Sequence, residues 1–237
     1  MRNSYIALDL ETTGLRPDTD RILEIGAVKV EEGEVTGTFS TFIDCGIPIP
    51  PFISELTGIT QEMVLGSPSL KEGLAAFLDF SGEEVLLGHN LSFDYGFMKQ
   101  NTVSLGFSYE RKGLDTLRIS RCCLPGLPKK SLDQVSAYYG IPQEHHHRAL
   151  DDALTAARIY ERLKEEYSEV YPELFEPSAL NFKVKKASPI TNSQKVYLRD
   201  LLKYHRINDN VKIEELTKSE ASRMIDGIIL KYGRMKR

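Results

Sequence analysis

Cysteine is scarce in this chain of 237 residues: there are three, Cys45, Cys122 and Cys123. The number is odd and two are adjacent, which excludes a disulfide framework and the paired spacing of a zinc site. A reducing cytoplasm is the expected setting. No apolar run approaches the roughly 20 residues that a membrane helix needs. The opening "MRNSYIALDL" shows no small-residue cleavage site, so no signal peptide is expected. No internal repeat is visible. What is present is ordinary for a soluble domain, with 41% hydrophobic and 27% charged residues. A chain of this length supports a core of useful size, in one large domain or one domain with a small appendix.

The net charge of −4 hides an asymmetry. From Asn181 to Arg237 there are 14 Lys and Arg against 6 Asp and Glu, a net of +8. The first 180 residues hold 16 basic and 28 acidic residues, a net of −12. A basic segment on an acidic chain points either to a polyanionic partner or to a solvated tail.

The patterning predicts an α/β fold. Residues 5–10, "RILEIGAVKVEEGEV" and "GTFSTFIDC" read as three strands, and their short connections favour an antiparallel meander. "SLKEGLAAFLDFSG" reads as an amphipathic helix with Leu70, Leu74, Phe77 and Leu78 on one face. "EEVLLGHN" is apolar without alternation, as in a central strand covered on both sides. Helices are expected over "SFDYGFMKQNTVSLG", "SLDQVSAYYG" and "HRALDDALTAARIYERLKEEY". The expected division is a domain over 1–170, a connection over 171–189 and a small basic helical module over 190–237. In the module, "TNSQ" and "TKSE" have capping-box spacing, and Ala221, Met224, Ile225, Ile228 and Ile229 form an apolar stripe.

The first strand poses a difficulty, because "YIALDLETTGL" sets Asp9 and Glu11 inside an apolar segment. Residues two apart on a strand share a face, so both carboxylates point the same way. Divalent cations with hard oxygen ligands would remove the repulsion; solvated acids on an exposed strand face are the alternative. In "LLGHNLSFD", Asp94 falls in the first turn of a helix, where it either complements the helix dipole or joins a metal site. In "HHHRALDDALTAARI", Asp152 lies over Ala156, Ile159 and Leu163 on the inward stripe. Asp151 lies over Thr155, Arg158 and Arg162 on a polar face. An inward carboxylate needs a partner, so Asp152 is the metal-ligand candidate. His145 and His146 read as solvated loop.

Taken in order, "DLETTG", "GHNLSFD" and "HRALDDA" resemble the three motifs of the DEDDh 3′–5′ exonuclease family. That family includes the proofreading subunit of bacterial replicative DNA polymerase and RNA-trimming enzymes. The resemblance covers about residues 4–165, and "ELTGIT" and "LDTLRISR" also look like family segments. It implies an RNase H-like fold with a five-stranded mixed sheet flanked by helices. It implies that Asp9, Glu11, Asp94 and Asp152 bind two Mg²⁺ or Mn²⁺ ions, with His147 as general base. It further implies that Thr12 lies against the terminal nucleotide of a single-stranded nucleic acid, with His89, Asn90 and Phe93 bordering that pocket. Glu24 and Asp115 fit the family pattern outside the metal set and read as structural. DNA ends are the expected substrate, with RNA trimming and a non-catalytic binding module as alternatives and a DNA polymerase as the possible partner. The basic module has no recognisable polymerase-binding segment. Its charge suits single-stranded nucleic acid, and Tyr197, Tyr204 and Tyr232 are candidates for stacking on bases.

Overall fold

The computed structural model describes residues 4–143, 148–185, 188–207, 211 and 213–235. The chain divides into two compact units, Met1–Val184 and Lys185–Arg237.

The first unit is built on a six-stranded mixed sheet. Its opening meander comprises β1 (Ser4–Thr12), β2 (Ile22–Glu31) and β3 (Glu34–Phe42), each antiparallel to the next. Two short helices, α1 (Pro51–Thr57) and α2 (Gln61–Val64), lead to α3 (Leu70–Ser81). The chain then crosses to β4 (Val85–Gly88), which runs parallel to β1. Helix α4 (Leu91–Ser104) connects it to β5 (Lys112–Asp115), parallel to β4. Helices α5 (Thr116–Cys123), α6 (Leu132–Tyr138) and α7 (Ala149–Tyr167) follow, and β6 (Ser178–Ala179) closes the edge antiparallel to β5. The strand order is β3-β2-β1-β4-β5-β6.

Alternation along β1 sorts the core into two layers. Tyr5 and Ala7 face one way and pack with Ala153, Ala156, Ile159 and Leu163 of α7. Ile6, Leu8 and Leu10 face the other way, against Leu74 and Phe77 of α3 and Leu91 and Phe97 of α4. Full burial of each Leu, Ile or Phe side chain among them is worth about 1.5–3 kcal/mol.

The sheet has six strands where the resemblance implied five. The sixth lies within 171–189, the stretch read in the sequence as a connection. Gly113 explains why this segment docks: a Cβ there would lie 2.5 Å from Leu91 Cδ2 and 2.8 Å from Leu180 Cδ1. Its absence lets Leu180 fold over β5, and the Leu180 N–H donates to the Arg111 carbonyl at 2.9 Å. Phe182 packs on the same layer.

In the second unit, α8 (Asn192–Tyr204) and α9 (Lys218–Tyr232) each begin with a capping box, at Thr191/Gln194 and Thr217/Glu220. Leu198, Leu201 and Ile228 form their shared core. No helix among the described residues is long and apolar enough to cross a membrane.

Candidate active site

The parallel strands β1, β4 and β5 end on the same edge of the sheet, and the three acidic motifs meet there. Asp9 and Glu11 lie on the face of β1 that looks toward α7, opposite Gly26 and Glu24 of β2. Asp152 comes from the first turn of α7. Carboxylate oxygens of Asp9, Glu11 and Asp152 all lie within 4.8 Å of one another. Asp151, its neighbour, is not in this group.

Asp94 reaches the same edge from the opposite layer. It sits in the first turn of α4, is 3% exposed, and its Oδ1 accepts the Leu10 N–H at 3.1 Å. It is close enough to Asp9 to act on that carboxyl's charge. Burial pushes the Asp9 carboxyl well above the usual carboxylate range, and Asp94, Asp152 and Glu11 push it further. Burial likewise raises Asp94 well above that range, against the opposing hydrogen bonds from its own N–H and from Leu10. Glu11 is raised to about 8, by burial first and then by Asp152 and Glu24, with Arg148 opposing. Four acids thus share a site where their own charges are badly compensated. Hard oxygen donors at this density suit Mg²⁺ or Mn²⁺, and the crowding of Asp9, Glu11 and Asp152 within 4.8 Å fits such an ion.

The other sequence candidates are held by local contacts. Thr12 is 8% exposed, and its hydroxyl donates to the Gly14 carbonyl at 2.7 Å, which shapes the turn after β1. Asn90 adopts the left-handed region at φ 72°, ψ 42°, a conformation asparagine tolerates better than most residues. Its N–H donates to Asp115 Oδ1 at 3.0 Å. The same oxygen accepts the Leu117 N–H at 2.9 Å, so Asp115 caps α5 and joins it to the end of β4. Phe93 and Phe97 pack with ring centroids 5.1 Å apart.

His89 is committed at both ring nitrogens. Burial lowers its pKa, which favours the neutral ring. Nε2–H donates to the Lys130 carbonyl at 2.6 Å, and Nδ1 lies 2.9 Å from the Thr116 hydroxyl oxygen, which itself donates to the Gly88 carbonyl at 3.1 Å. It therefore ties the loop before α6 to the end of β4, and it lines an open groove of about 650 Å³ with Asn90, Arg121, Lys130 and Ser131. His145, His146 and His147 lie outside the described residues.

One pair was not legible as part of the site. Glu24 is buried on β2, and Arg148 grips it with Nε to Oε2 at 3.1 Å and Nη2 to Oε1 at 2.9 Å. The Ala149 N–H adds a third bond to Oε2 at 3.3 Å. The Arg148 guanidinium also lies 5.2 Å from the Phe42 ring centroid. The clamp fixes the start of α7, three residues before Asp152. The signal available was a glutamate inside the apolar run "ILEIGAV", which needs a cation somewhere in the fold.

Known proteins share both this sequence and this architecture. The chain is 44% identical over 168 residues to a DNA polymerase III PolC-type of Clostridium perfringens, covering 69% of this chain and 12% of that protein. It spans 12% of the length of such PolC-type relatives over this match. With the PolC-type protein of Listeria innocua, the match runs over 240 residues at 31% identity and covers 96% of this chain. DNA polymerase III subunit epsilon of Aquifex aeolicus is 36% identical over 164 residues, covering 69% of this chain and 81% of that one. E. coli exonuclease I, solved with a dT13 oligonucleotide, superposes with a TM-score of 0.65 at 19% identity, over 73% of this chain and 43% of that one. Exonuclease X, solved with 5′ overhanging duplex DNA, gives 0.56 at 24% identity, over 70% and 92%. These structures share the RNase H-like fold. With subunit epsilon matched over most of its length and the sequence model of the Exonuclease family matching residues 6–160, this chain belongs to the Exonuclease family.

Proposed function

We propose that the protein is a metal-dependent 3′–5′ exonuclease that releases nucleoside 5′-monophosphates from single-stranded DNA ends. The observation that carries this reading is the Asp9–Glu11–Asp152 cluster, with Asp94 beside it, in a chain of the Exonuclease family. Asp9, Glu11, Asp94 and Asp152 hold two Mg²⁺ or Mn²⁺ ions. When bound, such ions supply an activated water and a stabilised leaving 3′ oxygen. His147, next to Arg148 in sequence, takes the proton of the attacking water; an imidazole with a pKa near neutrality suits that task. Leu10 N–H keeps one Asp94 oxygen oriented. The Thr12 turn, Asn90 and Phe93 border the terminal nucleotide, and His89 supports that wall from behind.

DNA is favoured over RNA because the relatives are named as DNA polymerase III components and exonuclease I was solved with a DNA oligomer. The same names motivate a DNA polymerase as a partner, and a cytoplasmic setting. Catalysis is assigned to residues 1–170, with 190–237 as an accessory module.

The test is digestion of a 5′-labelled single-stranded DNA oligomer with Mg²⁺ or Mn²⁺, beside an EDTA control and Asp9→Ala. The expected result is a ladder of progressively shorter labelled products, absent from both controls. Cleavage of a matched RNA oligomer alone would overturn the substrate reading. No cleavage of either would overturn the enzymatic one.

A further inference from the structure

Helices α8 and α9 run side by side in the same direction. At one end, Gln194 Nε2 donates to the Lys218 carbonyl at 2.8 Å and lies 2.9 Å from Ser222 Oγ. At the other end, the His205 ring lies 5.5 Å from the Tyr232 ring, and His205 Nε2–H donates to the Gly233 carbonyl at 3.0 Å. The parallel arrangement brings both C-terminal ends together. Those ends repeat one pattern: Lys203-Tyr204-His205-Arg206 closes α8, and Lys231-Tyr232-Gly233-Arg234 closes α9.

The rings there are not core. Tyr197 packs against the Leu198–Leu201–Ile228 cluster, whereas Tyr204 and Tyr232 are 48% and 47% exposed. His205 lies between them, edge-on to Tyr204 at 4.9 Å and tilted 31° to Tyr232. Lys231 Nζ sits 5.2 Å from the Tyr232 centroid. Lys195 and Arg199, elsewhere on the module, are paired with Glu214. Among the described residues, no acidic partner is seen for Lys203, Arg206, Lys231 or Arg234. Helix dipoles account for part of this charge. Two C-terminal ends carry about −0.5 each, so four cations leave an excess of about +3.

We propose that this paired end is a binding platform for a single strand of nucleic acid. The four cations contact successive phosphates, and the exposed faces of Tyr204 and Tyr232 take bases. An acidic peptide would satisfy the cations but leave the rings unused. No group on the platform is set to read base edges, so binding is independent of sequence. The platform is distinct from the acidic site and does not depend on hydrolysis there.

The experiment is fluorescence anisotropy of labelled dT and rU 20-mers on the full chain in the Asp9→Asn background with EDTA, across a salt series. In the quadruple variant K203Q/R206Q/K231Q/R234Q, affinity at low salt should fall at least about tenfold, and the slope of log K against log salt should flatten by about 3. Y204A/Y232A should bind about thirtyfold more weakly or worse with the slope unchanged, and Y204F/Y232F should bind as the parent. Circular dichroism checks that each variant keeps its helices. The dT and rU arms show whether the strand is DNA, RNA or either. An unchanged affinity and slope in a folded quadruple variant would overturn the proposal. Hydrolysis of a trinucleotide in the otherwise native chain should be unaffected by these changes, so failure of the exonuclease reading and failure of the platform are read separately.

Discussion

Glu24 and Arg148 lie 124 positions apart in the chain and meet in a two-pronged ion pair, at 2.9 and 3.1 Å, beneath the start of α7. The carboxylate is 1% exposed and is paired with that guanidinium. Removing the cation is therefore worse than removing the charge. Arg148→Ala strands a buried anion and should cost about 3 kcal/mol or more. Glu24→Gln keeps the shape and should cost less. Both should lower kcat more than KM, because the first turn of α7 carries Asp152. Thermal denaturation beside steady-state kinetics checks this; equal melting temperatures for the two variants would refute it.

The acid cluster trades stability for function. Like charges crowd Asp9, Glu11 and Asp152 within 4.8 Å, and each amide substitution relieves that repulsion. At pH 8, where the acids are free to ionise, Asp9→Asn, Glu11→Gln and Asp152→Asn should each melt higher than the parent in EDTA. Each should also lose activity, by about 10³-fold if the acid stabilises charge at the reacting phosphate as strongly as a single oxyanion donor does. Asp151→Asn is the control and should change neither by much. A parent-like rate for Asp152→Asn would remove that residue from the metal set.

How much of this was legible in the sequence follows from range. The β1–β3 meander declares itself by β-branched, apolar runs of nine or ten residues with short connections, and α7 by its apolar stripe. The choice of Asp152 over Asp151 needed only helical spacing. Strand β5 has four residues and β6 two, too few for any period, and β6 forms because Leu180 finds the gap left by Gly113. His89 was read as a pocket residue. Its two partners, Thr116 and Lys130, lie 27 and 41 positions away, and no local pattern encodes them. The Glu24–Arg148 clamp is hidden for the same reason.

The raised carboxyls make the metal-free protein sensitive to pH. An acid with a raised folded-state pKa holds its proton more tightly folded than unfolded. For Glu11 the ordinary value is 4.5 and the folded value about 8. Its contribution to stability is fully present below about pH 4.5 and is lost as pH rises through about 8, by up to about 1.4 kcal/mol per pH unit. Asp9 and Asp94 act in the same sense. In EDTA the melting temperature should therefore fall between pH 5.5 and pH 8. Added Mn²⁺ should raise it more at pH 8, where the acids are free to ionise. Glu11→Gln should flatten the EDTA profile. A parent profile that is already flat would contradict the account.

Gly26 offers the sharpest test of how the sheet holds Asp152. It sits on β2 opposite Asp9. A Cβ at this position would lie 2.1 Å from both the Ala149 carbonyl carbon and the Leu150 nitrogen, and 2.5 Å from the Ala149 oxygen. These are backbone atoms, so no side chain can rotate away. Gly26→Ala must either lift the first turn of α7 or bend β2. Lifting the turn pulls Arg148 from Glu24 and Asp152 from Asp9 and Glu11, and overpacking of a rigid core costs about 1–3 kcal/mol before the buried ion pair is weakened. The expected result is a variant that folds with a lower melting temperature and loses most of its activity. Its Mn²⁺-induced rise in melting temperature should shrink as well, which loss of global stability alone would not cause. A full metal-induced shift in Gly26→Ala would mean that β2 yields instead, and that the acid cluster survives without close contact between β2 and α7.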